Sequence, residues 1–254
     1  MTFVLGIDIG SGYTKAAVVE DRRLKSFAVA PSGGNYKETV RSVTEEALTN
    51  AGLSFAEVSR TVATGYGSAI AGFADRTATD ISCHAQGIHH LFPEARMVID
   101  VGAQFCKAIA VNEEGRVTNF VTNEKCAGGS GKFLQVIARI LHISIDDIGP
   151  LSLTAVHPVE FTTGCAVFAE SEAVSRIAEG ASPGDILQGI HKAMASKIVN
   201  LVTRLGAVKA CAVTGGGAKD LGLVRTIEEE LGISVLVPDE PQITAALGAA
   251  LMVE

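Results

Sequence analysis

The chain has 254 residues, of which 47% are hydrophobic, and its 21 basic and 28 acidic residues give a net charge of -7. This length suits one large domain or two smaller ones, and an acidic chain without a basic cluster is a poor partner for nucleic acid. The amino terminus enters a strand pattern directly, and no apolar run reaches the roughly 18 residues of a membrane span. We therefore expect a cytoplasmic protein without a membrane segment.

The first part of the chain reads as three strands followed by a helix. Strands are predicted at 3–9, 15–19 and 24–29, separated by a Gly-rich turn and a charged turn. Apolar residues at helical spacing predict a helix over 38–50, which ends at Ala51 and Gly52. The segment RTVATGYG at 60–67 predicts a buried strand that runs into a loop.

The rest of the chain begins in the same way and then becomes mainly helical. Strands are predicted at 96–101, 107–111 and 116–122, and helices at about 130–141, 166–179 and 183–205. Pro183 stands at a favoured first-turn position of the last of these helices. A strand at 208–216, a helix at 221–231 and a small-residue helix at the carboxyl end complete the pattern.

Two segments of the chain are copies of one another. IDIGSGYTKAAVV at 7–19 aligns without a gap to IDVGAQFCKAIAV at 99–111. The step from Asp8 to Lys15 is the same as the step from Asp100 to Lys107. We interpret the repeat as two related lobes, with lobe I at 1–93, lobe II at 94–242, and a carboxyl-terminal helix at 243–254 that packs back on lobe I.

Each copy has the form of a phosphate-binding hairpin. A strand that ends in Asp-x-Gly can turn its next backbone N–H groups towards phosphate oxygens, while the carboxylate holds a hydrated Mg²⁺. Two hairpins with Gly at the bend and no ligand are the alternative, and the duplication favours phosphate. The chain contains neither a Walker A loop nor a complete dinucleotide fingerprint. The candidate nucleotide-binding residues here are Gly10, Ser11, Gly12, Tyr13, Thr14 and Lys15 in the first hairpin, and Gly102, Ala103 and Gln104 in the second.

A third Gly-rich element lies at VTGGGAKD, residues 213–220, where a strand leads into a helix. There the backbone can approach a base or ribose, although a helix-entry loop without a ligand has the same pattern. The candidate residues are Gly215, Gly216, Gly217 and Ala218, together with Gln242. Two Asp-x-Gly hairpins and a late Gly-Gly-Gly resemble the actin, Hsp70 and sugar-kinase superfamily. That resemblance implies an α/β fold of two duplicated ribonuclease-H-like lobes with ATP in the cleft between them.

Two of the five cysteines stand directly before predicted amphipathic helices. Cys126 lies in NEKCAGGSGKFLQ, and Cys165 lies in FTTGCAVFAES. The partial positive charge of a helix amino terminus favours a thiolate, which suits both residues to metal binding. An iron–sulfur cluster needs four ligands, so two more would have to come from another chain.

The other three cysteines have apolar or ambiguous surroundings. Cys106 and Cys211 lie inside apolar strand patterns and are expected to be small buried side chains. Cys83 is followed by His84, a pair that can bind metal or act as nucleophile and base, but no second pair lies nearby. An odd number of cysteines without an export signal argues against a disulfide framework.

Nearly the whole chain resembles the ATP-dependent activators of 2-hydroxyacyl-CoA dehydratases, a family that includes the ATPase subunits of benzoyl-CoA reductase. The resemblance lies in GIDIGSGYTK, ATGYG, ISCHAQG, VIDVGAQ, NEKCAGGSGKFLQVIARIL, CAVFAESEAVS, VTGGGAKD and LGAAL. It implies ATP or ADP with Mg²⁺, and one [4Fe-4S] cluster shared between two ATPase chains, in a homodimer or a heterodimer. By resemblance the cluster ligands are Cys126 and Cys165.

The resemblance also implies partners and a mechanism. Ferredoxin or flavodoxin gives the electron, and ATP-driven rearrangement of the helices beside the cluster passes it to an iron–sulfur dehydratase or reductase that acts on a CoA thioester. We expect Asp8 and Asp100 at the catalytic centre, with Gln104 orienting the attacking water. Family members commonly have an acidic residue where this chain has Phe105, which leaves the partner enzyme open.

Other classes of function remain open at this point. A small-molecule kinase on the same scaffold, similar to pantothenate kinase, would use an Asp as general base for a substrate hydroxyl. A nucleotide-dependent chaperone is less favoured, because little sequence is left for a client-binding domain.

Overall fold

The structure is a computed structural model that describes residues 2–123, 128–161, 166–206 and 209–252. These residues form one five-stranded and one four-stranded sheet. The strands are β1 (Phe3–Ile9), β2 (Tyr13–Glu20), β3 (Arg23–Pro31), β4 (Val58–Thr64), β5 (Arg76–Thr77), β6 (Met97–Val101), β7 (Cys106–Val111), β8 (Val117–Thr122) and β9 (Cys211–Thr214). The helices are α1 (Tyr36–Ala51), α2 (Asp80–Leu91), α3 (Gly131–Leu141), α4 (Ile148–Ser152), α5 (Ala166–Ala178), α6 (Pro183–Thr203), α7 (Leu221–Leu231) and α8 (Thr244–Leu251).

The two sheets repeat the same topology. The first has the order β3-β2-β1-β4-β5 and the second the order β8-β7-β6-β9. In each sheet the first three strands are antiparallel neighbours, and a later strand, β4 or β9, joins the first one in parallel. Asp8 lies opposite Lys15 and Asp100 lies opposite Lys107, so the sequence repeat corresponds to a repeat in strand register.

Helices cover both faces of the first sheet. Leu5, Ile7 and Ile9 of β1 pack into a cluster with apolar residues of α1, whereas Val4 packs on the other face against Leu247 of α8. Because both faces are covered, the strand reads as a continuous apolar run without an exposed polar side. A larger cluster joins the second sheet to α3, α6 and α7.

The helices α2 and α8 cross in close contact between the two sheets. Ile88 of α2 packs with Val98 of the second sheet, while α8 packs on β1. At the crossing, a Cβ on Gly248 would meet the backbone oxygen of Cys83, and one on Gly87 would meet that of Thr244. Glycine at these positions therefore lets the two helix backbones approach each other directly.

Local signals explain where helices begin and end. Ser182 caps α6 by accepting a hydrogen bond from the Asp185 N–H, and Pro183 occupies the first turn. Asp220 caps α7 through the Leu223 N–H at 3.0 Å, and Gly232 ends that helix in the left-handed conformation. The predicted helices agree with α1, α3, α5, α6 and α7 to within two residues at either end.

Other features of the structure differ from the predictions or go beyond them. Helix α2 was not predicted, and its Asp80–Leu91 segment carries two adjacent histidines and a mid-helix glycine. Although α2 falls within predicted lobe I, it packs against the second sheet as well as α8. The lobe limits at residues 93 and 242 stay predictions. Among the described helices, none is long and apolar enough to cross a membrane.

We predict that Gly248→Ala destabilises the protein because the new methyl group collides with the α2 backbone, which cannot move without disturbing both sheets. Overpacking of this kind costs about 1–3 kcal/mol. Denaturant titration should show a lower unfolding midpoint than for the wild type. Gly34→Ala is the matched control, since a Cβ at Gly34 meets nothing within 4 Å. Equal midpoints for the two variants would contradict the proposed role of the crossing.

Candidate nucleotide-binding site

A cleft of about 620 Å³ lies where the repeated hairpins face each other. Both predicted phosphate hairpins and the third Gly-rich loop contribute to its wall. The predicted residues that line it are Asp8, Gly10, Ser11, Gly12, Tyr13, Lys15, Asp100, Gly102, Ala103, Gln104, Gly215, Gly216, Gly217 and Gln242. A cleft of this size, lined by three loops whose backbone groups can contact a ligand, fits a nucleoside triphosphate.

Two predicted residues do not line the cleft. Thr14 is fully buried, and its hydroxyl lies 3.0 Å from that of Ser32, which in turn donates to the Gly10 carbonyl at 2.7 Å. Thr14 therefore supports the first loop from the side away from the cleft, because its side chain on β2 is directed to the buried face of the sheet. Ala218 is also buried, within the cluster under the third loop.

The floor of the cleft contains an ion pair from each hairpin. Lys15 Nζ lies 2.7 Å from Asp8 Oδ2, and Lys107 Nζ lies 2.8 Å from Asp100 Oδ2. Lys107 also lies 2.8 Å from Asp80 Oδ2 of α2. Lys15, a predicted nucleotide-binding residue, thus has its ammonium group paired with Asp8 in this structure.

Neighbouring charges determine the protonation states of Asp100 and Lys107. Burial raises the pKa of Asp100, but His84 and then Lys107 lower it more, so the net pKa lies below the ordinary value. Burial lowers the pKa of Lys107, but Asp100 and then Asp80 outweigh that effect and raise the net pKa. The Asp100 carboxylate is therefore charged at neutral pH.

The repeat also extends to two glycines that sequence reasoning did not pair. Gly65 after β4 and Gly215 after β9 have φ values of 87° and 84°, which only glycine adopts readily. A Cβ on Gly65 would collide with Asp8 Oδ1, and a Cβ on Gly215 with Asp100 Oδ1. The similarity between the TGYG segment at 64–67 and the TGGG segment at 214–217 is the sequence signal that could have identified Gly65 and Tyr66 as cleft residues.

The cleft contains further residues that sequence reasoning missed. Asp80 and His84 come from α2, whose existence was not predicted, and Gln135 is a half-buried residue of α3. Phe105 also lines the cleft, and its backbone oxygen accepts a hydrogen bond from the Gly102 N–H at 3.0 Å. These positions depend on how helices pack across the sheets, which residue spacing alone does not show.

The two predicted cluster ligands, Cys126 and Cys165, lie outside the described residues. Cys83, Cys106 and Cys211 are buried, as predicted for the last two. Burial raises the pKa of the Cys83 and Cys211 thiols to about 12 and raises that of Cys106 as well. None of these three is therefore a thiolate at neutral pH.

The structure separates the neighbours Cys83 and His84. The Cys83 thiol lies 3.8 Å from the Met252 sulfur, within the contact between α2 and α8, whereas His84 faces Asp100. Successive helical residues point in different directions, so the pair does not form a nucleophile with its base. Within the described ranges, no group of three or more His, Cys, Asp or Glu side chains is arranged to hold a metal.

The geometry defines a two-sheet nucleotide-binding protein with its ligand cleft between repeated hairpins. A model of the BadF/BadG/BcrA/BcrD ATPase family matches residues 5–253. The chain therefore belongs to this family, and the predicted family and ATPase class are confirmed.

Individual relatives agree with this assignment. The chain is 39% identical to the activator of lactoyl-CoA dehydratase from Anaerotignum propionicum, over 98% of this chain and 96% of that one. It is 37% identical to one of the subunits of benzoyl-CoA reductase from Thauera aromatica, over 99% and 93% of the two chains. The solved activator of 2-hydroxyisocaproyl-CoA dehydratase from Clostridium difficile, with bound ADPNP, superposes with a TM-score of 0.95 at 36% identity, covering 98% of this chain and 93% of that one.

A more distant likeness bears on the fold. A glucokinase from Streptomyces griseus superposes with a TM-score of 0.62 at 14% identity, covering 98% of each chain. This confirms the predicted sugar-kinase-like fold. Because the relatives of high identity are activators and a reductase subunit, the comparisons favour the activator interpretation over a small-molecule kinase.

We predict that Gly12→Ala weakens ATP binding, because the two phosphate loops touch at this point. A Cβ on Gly12 would lie 2.6 Å from the Ala103 Cβ, so the methyl groups would force the loops apart. Calorimetry should show an affinity for ATP lower by about tenfold, equivalent to about 1.4 kcal/mol.

The double variant Gly12→Ala with Ala103→Gly tests the same contact by rescue. It removes the opposing methyl group and should bind ATP more tightly than Gly12→Ala alone. If the single variant binds ATP like the wild type, the loops do not need this close approach for binding.

Proposed function

We propose that this protein is an ATP-hydrolysing activator that delivers low-potential electrons to a 2-hydroxyacyl-CoA dehydratase or a benzoyl-CoA reductase type enzyme. The names of its relatives support this class of acceptor. The observation that carries the proposal is a direct backbone connection between the second phosphate loop and the helix that follows Cys126. A movement of this loop on nucleotide binding would therefore reach the start of α3, which follows Cys126 in the sequence.

The connection consists of two hydrogen bonds. The Gly131 N–H donates to the Gly102 carbonyl at 2.9 Å, and the Lys132 N–H donates to the Ala103 carbonyl at 2.8 Å. The first N–H groups of a helix have no partner within the helix, so here the phosphate loop satisfies them. Any movement of Gly102 or Ala103 must therefore move the start of α3 or break these bonds.

The segment between Cys126 and α3 is attached at further points. The Asn123 side chain donates to the Gly128 carbonyl at 2.9 Å, and the Cys106 thiol donates to the Gly129 carbonyl. Asn123 follows β8 and Cys106 begins β7, so both attachments come from the second sheet. This support couples the position of the segment to the sheet that carries the phosphate loop.

Within the cleft, the chain's own residues have distinct proposed roles. The loops around Gly10 and Gly102 present backbone N–H groups to the phosphates, and Asp8 and Asp100 are the carboxylates that would hold Mg²⁺, which would neutralise phosphate charge. Gln104 orients the attacking water. The third loop, from Gly215 onwards, contacts the nucleoside.

A [4Fe-4S] cluster bound by Cys126 and Cys165, together with the same two cysteines of a second chain, would supply one-electron transfer. The chemistry of the donor set supports this, since the other three cysteines are buried and protonated. Ferredoxin or flavodoxin would be the electron donor. A homodimer is the simplest assembly that gives four thiolates, and a heterodimer with a related chain would do so as well.

We predict that Cys126→Ser and Cys165→Ser each abolish cluster binding. Anaerobically purified wild type should contain about four iron and four sulfide per dimer, the stoichiometry of one [4Fe-4S] cluster. Cys211→Ser is the matched control and should retain the iron, because that side chain is buried within the second sheet. Full iron content in both variants would refute the ligand assignment.

We predict that Lys132→Pro uncouples the nucleotide from the cluster. Proline is tolerated in the first turn of a helix but lacks the N–H that reaches Ala103. The measurement is the rate at which a chelator removes iron, with and without ATP. We expect ATP to change this rate in the wild type and in Lys132→Ala, which keeps the N–H, but less in Lys132→Pro. The coupling proposal fails if ATP affects both variants equally.

A further inference from the structure

The helix α2 places a buried histidine on the floor of the nucleotide cleft. The His84 residue is 5% exposed, and its Nε2 lies 3.5 Å from Asp100 Oδ2. The other ring nitrogen, Nδ1, is buried and has no hydrogen-bond partner in the part of the chain that the structure describes. The contact with Asp100 is therefore the polar interaction that the structure gives this ring.

Such an arrangement is costly if the ring only fills space. A buried polar atom without a partner loses its hydrogen bonds to water and gains none in the folded protein. Each such group in a folded protein calls for an explanation, and a catalytic function is one of them. The group that His84 contacts, and the cleft that it lines, indicate what that function involves.

Comparison of the two hairpins shows that His84 contacts the second Asp–Lys pair and not the first. Both hairpins contain an Asp–Lys pair, but Lys15 contacts only Asp8 among the ion pairs of the described residues. In the second hairpin, α2 adds Asp80 against Lys107 and His84 against Asp100. The corresponding helix on the first sheet, α8, has the sequence TAALGAAL and carries no ionisable side chain.

The charged groups around His84 constrain how Asp100 is held. Lys107 Nζ and His84 Nε2 both approach Oδ2 of Asp100, at 2.8 and 3.5 Å. The other oxygen, Oδ1, lies beside Gly215, where the third loop begins. Asp8 and Lys15 complete the floor from the first sheet. Oδ2 of Asp100 is thus contacted by the Lys107 ammonium group and the His84 ring, while Oδ1 lies on the side of the third loop.

We propose that His84 is a positioning residue for ATP hydrolysis, which holds Asp100 Oδ2 from α2 and so fixes the orientation of the carboxylate in the cleft, with Oδ1 beside the third loop. It acts on the second Asp-x-Gly hairpin only, and this makes the two otherwise equivalent aspartates chemically different. The inference rests on the proposed assignment of Asp100 to the phosphate site. It is independent of the proposed iron–sulfur cluster.

The test compares two substitutions of similar size. His84→Gln keeps an N–H donor that can reach Asp100, whereas His84→Leu removes it. In steady-state ATPase assays we expect kcat to fall by about tenfold or more in His84→Leu, with KM for ATP within about threefold of the wild type. His84→Gln should recover most of the lost kcat. A purely structural histidine would instead give the two variants the same kcat per folded molecule.

A spectroscopic readout tests the contact without turnover. The imidazole C–H resonance of His84, assigned by its absence in His84→Gln, should shift in Asp100→Asn and on addition of ADP. It should shift less in Asp8→Asn, because Asp8 lies in the other hairpin. An unchanged His84 resonance in Asp100→Asn would mean that the two side chains do not interact, and this would overturn the inference.

His89→Leu is the matched control on the same helix. Its ring packs over Gly115 and does not line the cleft, although its Nδ1 is likewise buried without a partner among the described residues. Because His89 shares the unpartnered nitrogen but not the contact with Asp100, His89→Leu should keep the wild-type kcat and KM. Wild-type kcat in His84→Leu overturns the inference, as does equal loss in His84→Gln and His84→Leu. If His84→Leu does not fold, His84→Asn replaces it, because its shorter amide does not reach Asp100.

Asp100→Asn separates the inference from the function on which it rests. If Asp100→Asn hydrolyses ATP at the wild-type rate, the assignment of the phosphate site is wrong. If Asp100→Asn is impaired while His84→Leu is not, only the role of His84 is wrong.

Discussion

The Asp–Lys ion pair at the end of each hairpin is the constraint on which the cleft depends. It joins Asp8 to Lys15 and Asp100 to Lys107, directly across the first two strands of each sheet. Removing either partner of a buried pair leaves a charge without compensation, which costs several kcal/mol. Both hairpins therefore keep their carboxylates in place at the position where the backbone turns towards the cleft. Because the pairs are equivalent, the cleft has two similar walls.

The difference between the two walls comes from the helices behind them. The helix α2 brings Asp80 and His84 to the second hairpin, while α8 contributes only apolar and small side chains near the first. The second hairpin therefore has two ionisable side chains beside it, Asp80 and His84, that have no counterpart on α8. Preorganised polar groups of this kind can stabilise charge that develops in a transition state, which agrees with the proposed role of Asp100 in ATP hydrolysis.

The same second wall is also the one connected to α3. Backbone hydrogen bonds from the Gly131 and Lys132 N–H groups to the loop carbonyls connect the proposed phosphate loop to the start of α3. On the other side, α2 and α8 cross through glycine contacts, so a relative movement of the sheets must change that crossing. Closely packed elements respond to a ligand by moving between discrete arrangements, and the proposed coupling of the nucleotide to the cluster requires a response of this kind.

Local periodicity and the repeated spacing of Asp, Gly and Lys were enough to predict the duplicated hairpins, most helix limits and most of the loop residues that line the cleft. They did not predict that Thr14 lies behind its loop, or that α2 brings His84 and Asp80 to Asp100 and Lys107. Those contacts form because a helix packs across two sheets, and no periodic signal in the sequence records which face of such a helix reaches the cleft.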